Sequence, residues 1–219
     1  MTEGLLFSST PLFVDRRDAG SVLAADLGRE GRELVVVGLA GGGVEVAAEV
    51  AHVLAAPLDI VAVRRPWQPE YGIGAVTPGD GVYIRARNGL TDEQVAAAVE
   101  EAKAKAAVLD QHLHAQYDPL DLAGKTVVIV DDGLATGGTM IAALRWARAA
   151  AAARVVVATP VAAEESLDTV RSEANEVVCP YILSPFFAVG VWYGSFDQVD
   201  DAKVARLLGE NRTCTAGPR

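Results

Sequence analysis

The chain has 219 residues, 51% of them hydrophobic, which suits one α/β domain with a sizeable core and excludes disorder. A formal net charge of −10 argues against a nucleic-acid-binding surface, and no apolar stretch reaches membrane-spanning length without Gly, Pro or charge. Two cysteines, Cys179 and Cys214, do not make a disulfide framework; with Met1-Thr2-Glu3-Gly4 lacking the basic start of a signal peptide, the expected home is the cytoplasm.

Along the chain, Ala19, Val22, Leu23 and Leu27 have helical spacing and predict a helix over 13–27 that stops at Gly28. Leu34–Leu39 reads as an apolar strand. Gly41-Gly42-Gly43 follows, then a helix over 44–54 with Val46, Val50 and Leu54 on one face. The next strand, 58–63, ends at Arg64-Arg65. The stretch 66–88, rich in Pro, Gly and aromatics, reads as a loop with short strands near 73–76 and 82–84. Thr91 caps a long helix running to about Ala115, on which His112 and His114 read as surface histidines. A strand over 127–130 and a helix over 140–151 come next, with Arg145 and Arg148 on a solvated face. A strand over 154–161, a helix near 164–173, a short strand at 177–178, an irregular aromatic segment at 186–196 and a helix over 199–208 complete the chain. Strands alternating with helices imply a doubly wound, mostly parallel α/β sheet in a single domain over 1–219.

The most informative run is Val127-Val128-Ile129-Val130-Asp131-Asp132-Gly133-Leu134-Ala135-Thr136-Gly137-Gly138-Thr139-Met140. Four β-branched residues suit a parallel strand covered on both faces. Asp131 and Asp132 end that strand, where open α/β sheets place ligands. Residues 135–139 are small or glycine, so backbone N–H groups can converge on an anion, and the next helix points its positive end at the same spot. A phosphate in the loop and a hydroxyl-rich group on the two aspartates describe a ribose 5-phosphate. The bland alternative is a turn in which Asp132 or Thr136 caps the helix. Adjacent carboxylates repel and gain little from a turn, which favours a ligand.

This run resembles the 5-phosphoribosyl-1-pyrophosphate (PRPP) signature of the type I phosphoribosyltransferases. The resemblance implies that Asp131 and Asp132 contact the ribose hydroxyls and that Ala135, Thr136, Gly137, Gly138 and Thr139 wrap the 5-phosphate. Val35-Val36-Val37-Gly38-Leu39 and the loop Ala40, Gly41, Gly42 and Gly43 resemble the family's pyrophosphate strand and loop. Val61-Ala62-Val63-Arg64-Arg65 resembles the strand that leads into the mobile catalytic loop, to which Pro69-Glu70 and Ile73-Gly74-Ala75-Val76 would belong. The ends of the chain, 7–27 and 185–198, look like those of a bacterial subgroup of the family, with a small hood built from 1–30 and 181–200. The resemblance implies Mg²⁺ carried by PRPP with no direct protein ligand, a small base or nucleotide as partner, and a homodimer.

Two departures stand out. The subgroup's pyrophosphate loop carries Arg-Gly-Gly; here Gly41 stands at the arginine position and Glu45 adds negative charge nearby. The mobile loop is also short, with Pro66-Trp67 inside it. The base is left open. Phe186-Phe187-Ala188-Val189-Gly190 loosely resembles the base-stacking segment of the hypoxanthine-guanine enzymes, with Phe187 as the stacking ring, or else these rings pack in the core. Ala-Thr-Gly-Gly-Thr-Met at 135–140 is instead the form of the adenine enzymes. Other motifs fall away. Gly133 to Thr139 has nearly P-loop spacing but Thr139 replaces the required Lys, and Val46 occupies the third glycine position of a dinucleotide fingerprint at Gly41. The implied function is transfer of ribose 5-phosphate from PRPP to a nitrogenous base with release of pyrophosphate. Its competitor is a degenerate module that senses PRPP or a nucleotide.

Overall fold

A computed structural model describes residues 10–28, 33–66 and 72–215, with side chains as far as residue 212. Glu70 and the first nine residues lie outside the described residues. In chain order come α1 (Arg16–Leu27), β1 (Leu34–Leu39), α2 (Gly42–Leu54), β2 (Leu58–Val61), β3 (Gly74–Val76) and β4 (Val82–Ile84). They are followed by α3 (Asp92–Leu113), β5 (Thr126–Val130), α4 (Gly138–Ala149), β6 (Arg154–Ala158) and β7 (Val161–Ala163). The chain ends with α5 (Glu164–Glu173), β8 (Glu176–Val178), β9 (Tyr181–Leu183) and α6 (Asp201–Thr215).

The central sheet runs β2-β1-β5-β6-β8 and every neighbouring pair is parallel. β1 is buried along its whole length and β5 from Val127 onward, as continuous apolar runs demand. Side-chain alternation splits the core into two layers. Val36, Val128 and Val130 pack toward α2 with Leu23 and Leu27 of α1, while Val35, Val37, Val127 and Ile129 pack toward α4 with Ile141 and Leu144. From β1 the chain steps outward to β2; from β5 it steps the other way to β6 and β8. The crevice between the carboxyl ends of β1 and β5 is therefore the switch point at which such sheets bind ligands.

Two small sheets flank this body. β3 and β4 form an antiparallel hairpin in the expected mobile-loop region, tied back to the sheet by paired Arg64 and Val76 backbones. β7 and β9 pair in parallel and join a small cluster of Phe13, Ala19, Val161 and Tyr193. This hood therefore takes in β7 as well as the 181–200 segment, while α1 lies mostly against α2 in the body. Thr91 caps α3 as the sequence predicts, in a full capping box with Gln94.

Candidate active site

Asp131 and Asp132 leave the end of β5 beside the first turn of α2. A Cβ at Gly43 would lie 2.9 Å from Asp131 Oδ1, and one at Gly42 would collide with the Asp132 carboxylate. Only glycines allow the loop at 41–43 to approach the carboxylate pair this closely. Gly41, the N-cap of α2, has φ 115 and ψ −137, a backbone region that side chains avoid. On the other side of the pair, Leu134 bridges to β7 through paired backbone bonds, which pins the loop 135–139. That loop delivers Gly137 as the N-cap of α4 at φ 73, with no side-chain cap. Neither Asp132 nor Thr136 caps the helix, so the bland reading of the run is set aside. Ala135 and Thr136 are exposed, and the first N–H groups of α4 have no acceptor within the helix. The crevice thus holds two helix amino ends with two carboxylates between them.

The site carries a cation that sequence reasoning missed. Arg16, the first residue of α1, is only 6% exposed. Its Nε donates to Asp132 Oδ2 at 2.8 Å and its Nη1 to the Asp197 carbonyl at 2.7 Å. Its guanidinium carbon sits 3.8 Å from the centre of the Phe196 ring. The Tyr193 hydroxyl donates to the Asp132 carbonyl at 2.5 Å, and Val189 packs its methyls against Gly133. The hood therefore lies across the aspartate pair. A signal for Arg16 existed in the sequence: an arginine at the positive end of a helix opposes the dipole, and such local conflicts mark functional positions.

Burial raises the pKa of both carboxylates. At Asp131 the neighbouring Asp132 charge adds to the rise, and the charges of Arg65 and Arg16 oppose it. At Asp132 the Arg16 hydrogen bond is the main opposing effect. Of the two arginines ending the second strand region, Arg65 thus acts electrostatically on the pair. Arg64 instead lines a groove of about 570 Å³ with Lys105, His112 and Asp201. Phe187 is 69% exposed, which rules out core packing for that ring, whereas Phe186 packs on Trp192.

Two further expectations are corrected. The His114 side chain is only 7% exposed: its Nε2 lies 2.9 Å from Asp59 Oδ1 and its Nδ1 3.0 Å from the Asp110 carbonyl. It closes the end of α3 onto β2, where the buried Asp59 carboxylate needs a partner. Arg145 is half-buried and holds Glu173 through two nitrogens, at 3.0 and 2.6 Å, with a third contact to the Val82 carbonyl. It clamps α4 to the hairpin and to α5.

A family model described as phosphoribosyl transferase domain matches residues 17–193, which takes in both loops and the carboxylate pair. The chain belongs to the phosphoribosyltransferase family. The Mycobacterium tuberculosis H37Rv protein "Putative phosphoribosyl transferase Rv0571c" is 40% identical over 206 residues, covering 90% of this chain and 46% of that protein. A protein from M. tuberculosis strain CDC 1551, "Putative phosphoribosyl transferase MT0597", matches with the same figures. The chain therefore spans about half the length of the curated relatives it matches. Among solved structures, TT1426 from Thermus thermophilus is 36% identical with a TM-score of 0.77, covering 90% of this chain and 98% of that one. Within this phosphoribosyltransferase fold, no group of three or more His, Cys, Asp or Glu suited to hold a metal occurs among the described residues. Nor is any helix among them long and apolar enough to cross a membrane.

Proposed function

We propose that the chain binds PRPP with Mg²⁺ across the β1/β5 crevice and transfers its ribose 5-phosphate to a ring nitrogen of a base. The observation that carries this reading is the placement of Asp131 and Asp132 between the amino ends of α2 and α4. One helix end and its loop, 135–139, suit the 5-phosphate; the other, at Gly41–Gly43, suits the pyrophosphate; the carboxylates between suit the hydroxyls of a ribose.

The chemistry follows from those positions. The bond between C1 and the pyrophosphate oxygen breaks, and its electron pair leaves with the pyrophosphate. The ring nitrogen of the base forms the new bond to C1, and any proton on that nitrogen passes to solvent. Positive charge develops on the ribose, beside Asp131 and Asp132, and negative charge on the leaving group, at the N–H groups of α2. The site suits an Mg²⁺ that arrives bound to the phosphates of PRPP and is not held by a protein ligand. When bound, the ion would neutralise charge on the pyrophosphate. The β3–β4 hairpin, whose Tyr83 ring lies against Gly138 at the amino end of α4, is suited to cover the site and keep water from C1. Phe187, outside the core, is the ring proposed to hold the base.

A second reading has its own support. Gly41 denies the pyrophosphate loop its arginine, and Glu45 stands in the first turn of α2. Both favour a module that binds PRPP or a nucleotide without turning it over. Incubation with PRPP, Mg²⁺ and a panel of purine and pyrimidine bases, read by pyrophosphate release, separates the two. Release with one base establishes the transferase; binding of PRPP without release from any base establishes the sensor.

A further inference from the structure

We propose that Arg16 supplies, from the start of α1, the guanidinium that the pyrophosphate loop lacks at Gly41, and that it grips the pyrophosphate of PRPP at the amino end of α2. This rests on the PRPP reading of the crevice. Gly41 is an awkward place for a side chain because of its backbone angles, so a cation for this loop has to arrive from another element. Arg16 does so. A Cβ on Gly42 would lie 2.7 Å from Arg16 Nε and 2.8 Å from Arg16 Nη2, which puts the edge of the guanidinium against the first residue of α2. Of the N–H groups of that turn, Val44 donates to the Gly41 carbonyl at 3.2 Å, and those of Gly42 and Gly43 have no acceptor within the helix. The guanidinium lies against this turn.

Pairing with Asp132 accounts for Nε, and the Asp197 carbonyl for Nη1. These two bonds fix the guanidinium plane and carry Nη2 to Gly42 along with Nε. The charges that would repel an anion here are Asp131, Asp132, which Arg16 itself pairs with, and Glu45, whose Oε2 lies 3.8 Å from Arg16 Nη1. Lys203 of α6 holds the other oxygen of that carboxylate at 2.7 Å, which offsets it. The ring of Phe196 and the Asp197 carbonyl fix the guanidinium plane, so little side-chain freedom is lost when it meets a phosphate. Asp132 keeps lone pairs for a ribose hydroxyl while Arg16 holds Oδ2. Arg16 then bridges the two halves of the substrate.

The test titrates the wild-type chain, Arg16→Lys and Arg16→Gln by calorimetry with magnesium pyrophosphate and, separately, with ribose 5-phosphate. The wild type should bind both. Arg16→Gln should lose pyrophosphate affinity by roughly tenfold or more, with a clearly smaller loss for ribose 5-phosphate. Arg16→Lys, which keeps the charge but not the fork, should fall between. If Arg16→Gln binds pyrophosphate as tightly as the wild type while ribose 5-phosphate still binds, the assignment to Arg16 is overturned and the PRPP site stands. Equal loss of both ligands in both variants would make Arg16 a structural anchor and also overturn it. A wild type that binds neither ligand removes the PRPP reading, and the role of Arg16 with it.

Discussion

Asp131 and Asp132 are adjacent in sequence and unequal in surroundings. Asp131 accepts from the Asp132 backbone N–H at 2.9 Å and faces Gly43, while Asp132 is paired with a buried guanidinium. Their asparagine variants should therefore differ. Asp131→Asn removes a carboxylate whose ionisation burial already opposes, so the free protein should melt at the same or a higher temperature while ribose 5-phosphate binding weakens. Asp132→Asn strands the Arg16 charge, and removing one member of a buried pair costs about 3–5 kcal/mol. Denaturant unfolding of both variants checks this; equal stability changes would contradict the asymmetry. The pH dependence of binding has a defined sign. Hydroxyl recognition needs ionised carboxylates, and both have raised pKa values, so ribose 5-phosphate affinity should fall on acidification at a pH above the ordinary carboxylate range. A calorimetric pH series reads the midpoint.

At the scale of elements, the two loops and the hood fix each other. Gly133→Ala would drive a methyl into Val189, so it should lift the hood from the aspartates and weaken ligand binding while the parallel sheet survives. Unchanged affinity with an unchanged circular dichroism spectrum would show that the hood plays no part. Gly41→Arg looks from sequence like a repair that tightens pyrophosphate binding. With φ at 115, an arginine there costs about 1–3 kcal/mol of backbone strain and has to remodel the loop. We expect lower stability and no gain in pyrophosphate affinity, read by melting and calorimetry. The buried strands, the helices and the glycine loops were legible in the chain because each carries a local period or turn chemistry. β1, β4 and α5 appear with the expected bounds, and β5 begins one residue early at Thr126. β9 and its pairing with β7 were not legible, since three-residue strands in a hood are set by tertiary contact. The meeting of Arg16 with Asp132, 116 residues apart, was hidden for the same reason.

At the scale of the whole molecule, a second charged knot sits away from the crevice. Burial alone would lower the pKa of His114, but hydrogen bonds to Asp110 and Asp59, with their charges, raise it to about 10. The folded value lies above the ordinary 6.5, so its stabilisation is present in full below pH 6.5 and is lost as pH rises through about 10. Unfolding free energies should decline over that window, and His114→Gln should flatten the decline; a wild-type profile without slope there would contradict a charged His114. This knot ties α3 to β2, and the Arg145 clamp ties α4 to the hairpin. The central claim is that this crevice is a PRPP site. Its most direct test is titration of the wild-type chain with PRPP in the presence of Mg²⁺, followed by calorimetry and thermal melting. We expect saturable heat and a raised melting temperature, both diminished in Asp131→Asn. No heat and no stabilisation at millimolar PRPP would contradict it.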